Sequence, residues 1–149
     1  MGKRGEGWVI IQAVLFLIII FAPRVELSAF PPWLNWSGFA LMALGGLLGL
    51  AGLFHLGSNI TPFPKPVAGG KLVTSGAYAI VRHPIYSGLT IAALGWALWN
   101  SNLLGILLAF VLFVFFDMKS RREERWLAEA YPDYGDYRRR IKKLIPWLY

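Results

Sequence analysis

The chain contains no cysteine, which excludes a disulfide framework, a thiolate metal site and a cysteine nucleophile together. Histidine is almost as scarce: His55 and His83 are the only two in 149 residues, too few to furnish a zinc or di-iron centre. Charge is sparse as well. With 15% of residues charged and eight of them acidic, the composition lies well to the apolar side of an ordinary water-soluble domain. The long apolar runs hold Gln12 and small neutral groups, with Asp117 only at an edge. Transport usually needs an ionisable group near mid-bilayer, so this pattern weighs against a transporter.

Hydrophobic residues make up 56% of the chain, the composition of a membrane protein. A formal charge of +7 could mean nucleic acid, but in so apolar a chain it reads as positive-inside bias and attraction to anionic lipid. No nucleic-acid partner is expected. Four apolar stretches stand out: Trp8 to Ala22, Trp33 to Leu56, Ile85 to Trp99 and Leu103 to Phe116. The second alone comfortably reaches the ~20 residues that span hydrocarbon, and the others must draw on their flanks. Asn100, Ser101 and Asn102 form a tight turn between the last two, making a helical hairpin. The fold predicted is all-α, a polytopic bundle of about four transmembrane helices in a single domain over 1–149.

The opening MGKRGEG ahead of an apolar run has the outline of a signal peptide. The run ends in Pro23, Arg24 and Glu26 with no small-residue cleavage pattern, which favours a retained first helix. If both termini are cytoplasmic, every Lys and Arg except Arg24 falls inside: Lys3, Arg4, Lys65, Lys71, Arg82 and those from Lys119 to Lys143. Multi-pass topology with cytoplasmic termini follows as the expectation.

Gly45, Gly49 and Gly52 share one face of the second helix, and Gly88, Ala92 and Gly95 repeat the device on the third. Small residues at this spacing let helices approach closely in lipid. The following loop, NITPFPKPVAGGKLVTSGAY, is too broken by proline and glycine for a helix and too long for an idle connector. Its Ile60, Phe63, Val67, Leu72 and Val73 suit a lid packed on the bundle. The fourth helix should run past the membrane to about Ala130. A second amphipathic stretch, Asp136 to Ile145, should lie in the interface and end at Pro146.

Thr74 to Gly88, TSGAYAIVRHPIYSG, organises the rest. Pro84 suits the first position of a helix, which puts His83 at its N-cap. Arg82 and His83 then flank a helix start that already favours an anion, such as a carboxylate or phosphate. The bland alternatives are a positive-inside anchor for Arg82 and His83, helix salt bridges for Glu123 and Glu124, and an aromatic belt for the tyrosines.

RHPIYSG from Arg82, LVTSGAY before it and EERWLAEAYPDYGDYRRRIKKLIP from Glu123 together resemble the isoprenylcysteine carboxyl methyltransferase and phospholipid N-methyltransferase group of integral membrane enzymes. The resemblance covers roughly the C-terminal half, and the TPFPKP run is similar to bacterial members. It implies S-adenosylmethionine as methyl donor, with S-adenosylhomocysteine as product; it does not imply a Rossmann fold, and no glycine-rich strand-to-helix fingerprint is present. By position it implies cofactor binding by Tyr78, Val81, Arg82, His83, Tyr86, Gly88 and the pair Glu123 and Glu124. An acceptor entering from the bilayer would place its polar head near Tyr134, Tyr137 and Arg138; Glu124 and Arg138 are the catalytic candidates, and the lack of Cys and scarcity of His leave no metal expected. Adjacent helical residues point ~100° apart, so one glutamate faces the pocket, and Glu124 is favoured. Where many members carry phenylalanine and glycine before the final tyrosines, this chain has Tyr131, Pro132, Asp133, Tyr134 and Gly135, and its acceptor end can differ. The function implied is methyl transfer to an amphiphilic acceptor, a prenylcysteine-like carboxylate or a lipid amine, at the cytoplasmic membrane face. The rival reading is a non-catalytic four-helix scaffold or a small transporter.

Overall fold

The computed structural model describes residues 2, 4–25 and 30–149; Lys3 and Glu26, which enter the charge and cleavage arguments above, lie outside them. Among the described residues there is no strand. Four long helices, α1 (Glu6–Phe21), α2 (Pro32–Leu56), α3 (Pro84–Trp99) and α4 (Leu103–Ala130), are followed by a short α5 (Tyr134–Arg140). Two helical segments, Pro32–Asn59 and Leu103–Ala130, are long and apolar enough to cross a membrane. The 16-residue α1 and α3 reach ~24 Å each, short of a ~30 Å hydrocarbon core. Large apolar side chains such as Phe21, Leu47, Phe54 and Phe110 face outward around the helices, an apolar surface far more extensive than a soluble monomer carries.

The tightest contact is between α2 and α3, and glycine makes it. The buried residues of α2 are Gly38, Gly45, Gly49 and Gly52, all against α3. A Cβ on Gly88 would stand 2.4 Å from the Gly49 backbone nitrogen, and one on Gly95 2.3 Å from that of Met42. Backbone meets backbone, so dispersion contacts form without any polar side chain. The α2–α3 pair is antiparallel, since Gly38 meets Trp99 and Gly52 meets Pro84. The side chain of Asn35 donates to the terminal carbonyls of α3 at Leu98 and Trp99, 3.0 Å each.

The hairpin turn is held from two sides. Asn102 caps α4 by accepting from Gly105 N–H at 3.2 Å, and the same oxygen accepts from Val25 N–H. Leu103 N–H in turn donates to the Val25 carbonyl. The 22–25 connection and the 100–102 turn therefore share one end of the bundle. The start of α1, the end of α2, the start of α3 and the end of α4 share the other. On α4, Leu112, Phe115 and Phe116 form the core against Trp8, Phe16 and Ile19 of α1 and Tyr86 and Leu89 of α3.

The C-terminal segment departs from expectation. The helix begins two residues earlier than predicted, at Tyr134, and stops at Arg140 rather than at Ile145. Residues 141–145 instead run as a strap across the start of α3, where Arg82 N–H donates to the Lys142 carbonyl and His83 N–H to that of Lys143. Ser87 Oγ fastens it by donating to the Leu144 carbonyl at 2.7 Å. Lys143, counted on the wheel as a headgroup contact, is buried in an ion pair with Asp117, which also accepts from Tyr149 Oη at 2.8 Å. A seven-residue helix is one that tertiary bonds can end early, because each strap carbonyl satisfies a donor that an interfacial helix would have left exposed.

Candidate functional site

Pro84 opens α3 at its first position with His83 as the N-cap residue, though no side chain caps the helix. The turn before it, Gly76–Ala79, fits under the end of α2 because Gly76 has no side chain: its φ is 60°, and a Cβ there would overlap the His55 ring at 2.0 Å. This sets Tyr78, whose carbonyl accepts from Tyr137 Oη at 2.7 Å, facing α5. The Arg82-His83 dipeptide is thereby clamped between the strap and the outer part of α4.

Arg82 is almost entirely used within the protein. Its Nε and Nη2 each lie 2.9 Å from Glu124 Oε1, and its Nη1 donates to the carbonyls of Arg138 and Ile141. His83 Nε2 lies 3.2 Å from the same Glu124 oxygen. The Arg82 guanidinium and the His83 ring on one oxygen hold Glu124 as the carboxylate. The anion expected at Arg82 and His83 is thus already supplied by the chain itself.

The acidic pair divides by phase, in the opposite sense to the expectation. Glu124 is buried and turned to Arg82 and His83, whereas Glu123 lines a cavity and accepts from Tyr86 Oη at 2.9 Å. Glu124 thus contacts Arg82 and His83 rather than the cavity. Tyr86 is sandwiched between His83, with centroids 5.5 Å apart and planes 7° apart, and Phe116, at 4.5 Å and 8°. The stack fixes the Tyr86 hydroxyl and, through it, the Glu123 carboxylate.

The cavity has a volume of about 330 Å³. Its floor is Leu53, Leu56 and Ile85, its far wall Leu127 and Tyr131, and its roof the loop from Asn59 through Val67 and from Lys71 to Val73. The loop expected to form a lid thus lines the cavity, with Ile60 and Val67 exposed on it. Tyr78, Arg82, His83, Tyr86, Glu123, Tyr134 and Tyr137 all contribute to the lining. Burial pushes the phenols of Tyr78, Tyr134 and Tyr137 up from their usual range, so each is a neutral hydroxyl. Tyr134 Oη is buried with no hydrogen-bond partner, the kind of orphan that a ligand or water ordinarily satisfies.

Besides Glu124, three expected site residues are placed elsewhere. Gly88 faces α2 and serves helix packing, since its missing Cβ admits the Gly45–Gly49 backbone rather than a ligand. Val81 is wholly buried outside the cavity wall. Arg138 is exposed on the outer side of Glu124, 3.7 Å from its Oε2, and is absent from the lining. Two residues that motif reasoning did not single out are there: Lys119 and Gln12, joined by a hydrogen bond. Their polarity beside two apolar runs was the available signal.

A family model described as phospholipid methyltransferase matches residues 33–134. The chain is 29% identical over 145 residues to protein-S-isoprenylcysteine O-methyltransferase B of Arabidopsis thaliana, covering 91% of this chain and 74% of that protein. It is 32% identical over 143 residues to protein-S-isoprenylcysteine O-methyltransferase of Schizosaccharomyces pombe, covering 86% and 59%. A solved structure of the eukaryotic intramembrane Ras methyltransferase, isoprenylcysteine carboxyl methyltransferase, superposes with a TM-score of 0.69 at 24% identity, over 99% of this chain and 55% of that one. The fold is shared, and the chain spans little more than half the length of that structure. The match of the family model across both central helices, the RHPIYSG segment and the acidic pair shows that the chain belongs to the phospholipid methyltransferase family.

Proposed function

We propose that the chain, acting as one unit, transfers a methyl group from S-adenosylmethionine to an amphiphilic acceptor, foremost the carboxylate of a prenylcysteine-like molecule. The observation that carries this reading is the cavity, whose largely apolar lining includes Glu123, Tyr86, His83 and Tyr134, the last with an orphan hydroxyl. These residues fit the donor. Glu123 can accept from a ribose hydroxyl or an ammonium, Tyr134 Oη offers an unused donor and acceptor, and the aromatic and aliphatic walls suit a purine.

When bound, the cofactor supplies a methyl group on a sulfonium. The remaining work is positional. The proline-rich loop lines one side of the cavity, and the His83–Tyr86–Phe116 stack holds Glu123 in one orientation. Glu124, paired with Arg82 and in contact with His83 Nε2, locks the start of α3 to α4. Methyl transfer gains chiefly from alignment and a dry site, which such a scaffold provides. A carboxylate acceptor needs no general base, whereas an ammonium lipid must first lose a proton, for which Glu123 is the carboxylate at hand.

Four crossings with both termini cytoplasmic form part of the proposal. The site lies at the bundle end where all described Lys and Arg except Arg24 belong, Arg24 being in the 22–25 connection at the other end. Reporter fusions after Pro23 and Asn102 should read as outside, and those after Gly70 and the C-terminus as inside; an inner signal at Asn102 would refute the topology. For the activity, calorimetry with S-adenosylhomocysteine in detergent is followed by radiolabelled methyl transfer to prenylcysteine analogues. Binding with turnover is the expected result; no binding leaves a scaffold.

A further inference from the structure

Lys119 sits on α4 with about 1% of its surface exposed, yet it contributes to the cavity wall beside Tyr86 and Glu123. A buried ammonium normally has an acid for a partner. The other buried cations of this end do: Arg82 has Glu124 and Lys143 has Asp117. Among the described residues Lys119 has only neutral oxygens as hydrogen-bond partners, those of Gln12 Oε1 from α1 and the Pro62 carbonyl from the loop, the latter at 3.1 Å. Glu123, one turn along, is turned to Tyr86 Oη and lies 3.8 Å from His83 Nδ1, with no ion pair to Lys119 within 4.0 Å. An ammonium has three donors, and two are used. Its Nζ also stands 5.3 Å from the centre of the Tyr86 ring, the ring that anchors the polar end of the cavity.

Resting on the methyl-transfer reading, we infer that Lys119 is the carboxylate-recognising group of this cavity. Arg82 is consumed by Glu124 and backbone carbonyls, so the cavity's remaining buried cation is the one left to meet an anion. The Pro62 carbonyl and Gln12 hold the ammonium in place until a carboxylate arrives. Because the lid supplies one of those oxygens, ligand charge is read at the junction of α1, α4 and the lid. Two carboxylates have the required chemistry, that of the cofactor's amino-acid end and that of a prenylcysteine-like acceptor. If the acceptor's is bound, forming the methyl ester removes the charge Lys119 holds, and the product loses its anchor.

The test compares wild type, Lys119→Gln and Lys119→Arg in detergent, each first checked for native helix content and an unchanged unfolding midpoint. Affinities are measured for S-adenosylhomocysteine and for 5′-methylthioadenosine, which lacks the amino-acid carboxylate, and KM for acetyl-farnesylcysteine. If the cofactor's carboxylate is bound, Lys119→Gln weakens S-adenosylhomocysteine by roughly ten- to hundredfold and leaves methylthioadenosine unchanged. If the acceptor's is bound, its KM rises by a similar factor with both nucleoside affinities unchanged. Lys119→Arg restores most of whichever is lost. Equal loss for both nucleosides, or no change in any of the three constants, overturns the assignment. Failure of wild type itself to bind S-adenosylhomocysteine would instead overturn the methyl-transfer reading.

Discussion

Replacing Glu124 with glutamine should unfold this protein more readily than it impairs a binding site. The Glu124 side chain is 6% exposed and that of Arg82 9%, so neither charge can be rescued by water. Glutamine keeps the size and one acceptor oxygen but leaves the guanidinium without a counter-charge and sets an NH₂ among donors. Removing one partner of a buried pair costs about 3–5 kcal/mol, because the other is left uncompensated. Arg82→Met should cost a similar amount, since it strands Glu124 and removes the donor of the Arg138 and Ile141 carbonyls. The double variant, lacking both charges, should fall short of the sum by about 2–3 kcal/mol. Unfolding in mixed detergent micelles can be followed by the fluorescence of the seven tryptophans. Single variants within about 1 kcal/mol of wild type, or strictly additive losses, would refute the view that this pair locks α3 to α4.

Three further outcomes follow from the same geometry. Glu123→Gln, at the cavity and without a buried cation of its own, should weaken S-adenosylhomocysteine roughly ten- to hundredfold by calorimetry while leaving the unfolding midpoint unchanged; wild-type affinity would discard Glu123 as a ligand. Gly88→Ala forces a methyl group to 2.4 Å from the Gly49 backbone nitrogen and should lose about 1–3 kcal/mol or more, whereas Gly46→Ala, with nothing within 4 Å, should be neutral or mildly stabilising in the same unfolding assay. Acceptors sharing one reactive head should turn over faster as the apolar tail lengthens in nanodiscs, each CH₂ left in hydrocarbon being worth ~0.8 kcal/mol; a rate independent of chain length would rule out entry from the bilayer.

The legible part of this fold is the part whose physics is local. Small residues three and four apart marked the α2–α3 seam before any coordinates, because close approach in lipid needs nothing but missing side chains. Pro84 likewise announced the start of α3, since a missing N–H acts within one turn, and the Asn100–Asn102 turn marked the break before α4, where Asn102 proves to be the cap. What sequence could not settle depended on rotation and on partners far along the chain. Glu123 and Glu124 are indistinguishable as text, and their roles are assigned by the phase of α4 against a guanidinium 42 residues away. The strap had the same character. On a helical wheel Lys142 and Lys143 are two basic residues at an interface, but Arg82 and His83 present backbone N–H groups that only an extended segment can meet. Lys119 and Gln12 show where such information was still recoverable. A polar residue inside one apolar run and a cation just past the end of another, on antiparallel helices, stand at matching depth. Each would be costly alone, so their pairing is the arrangement that removes the expense of burying both.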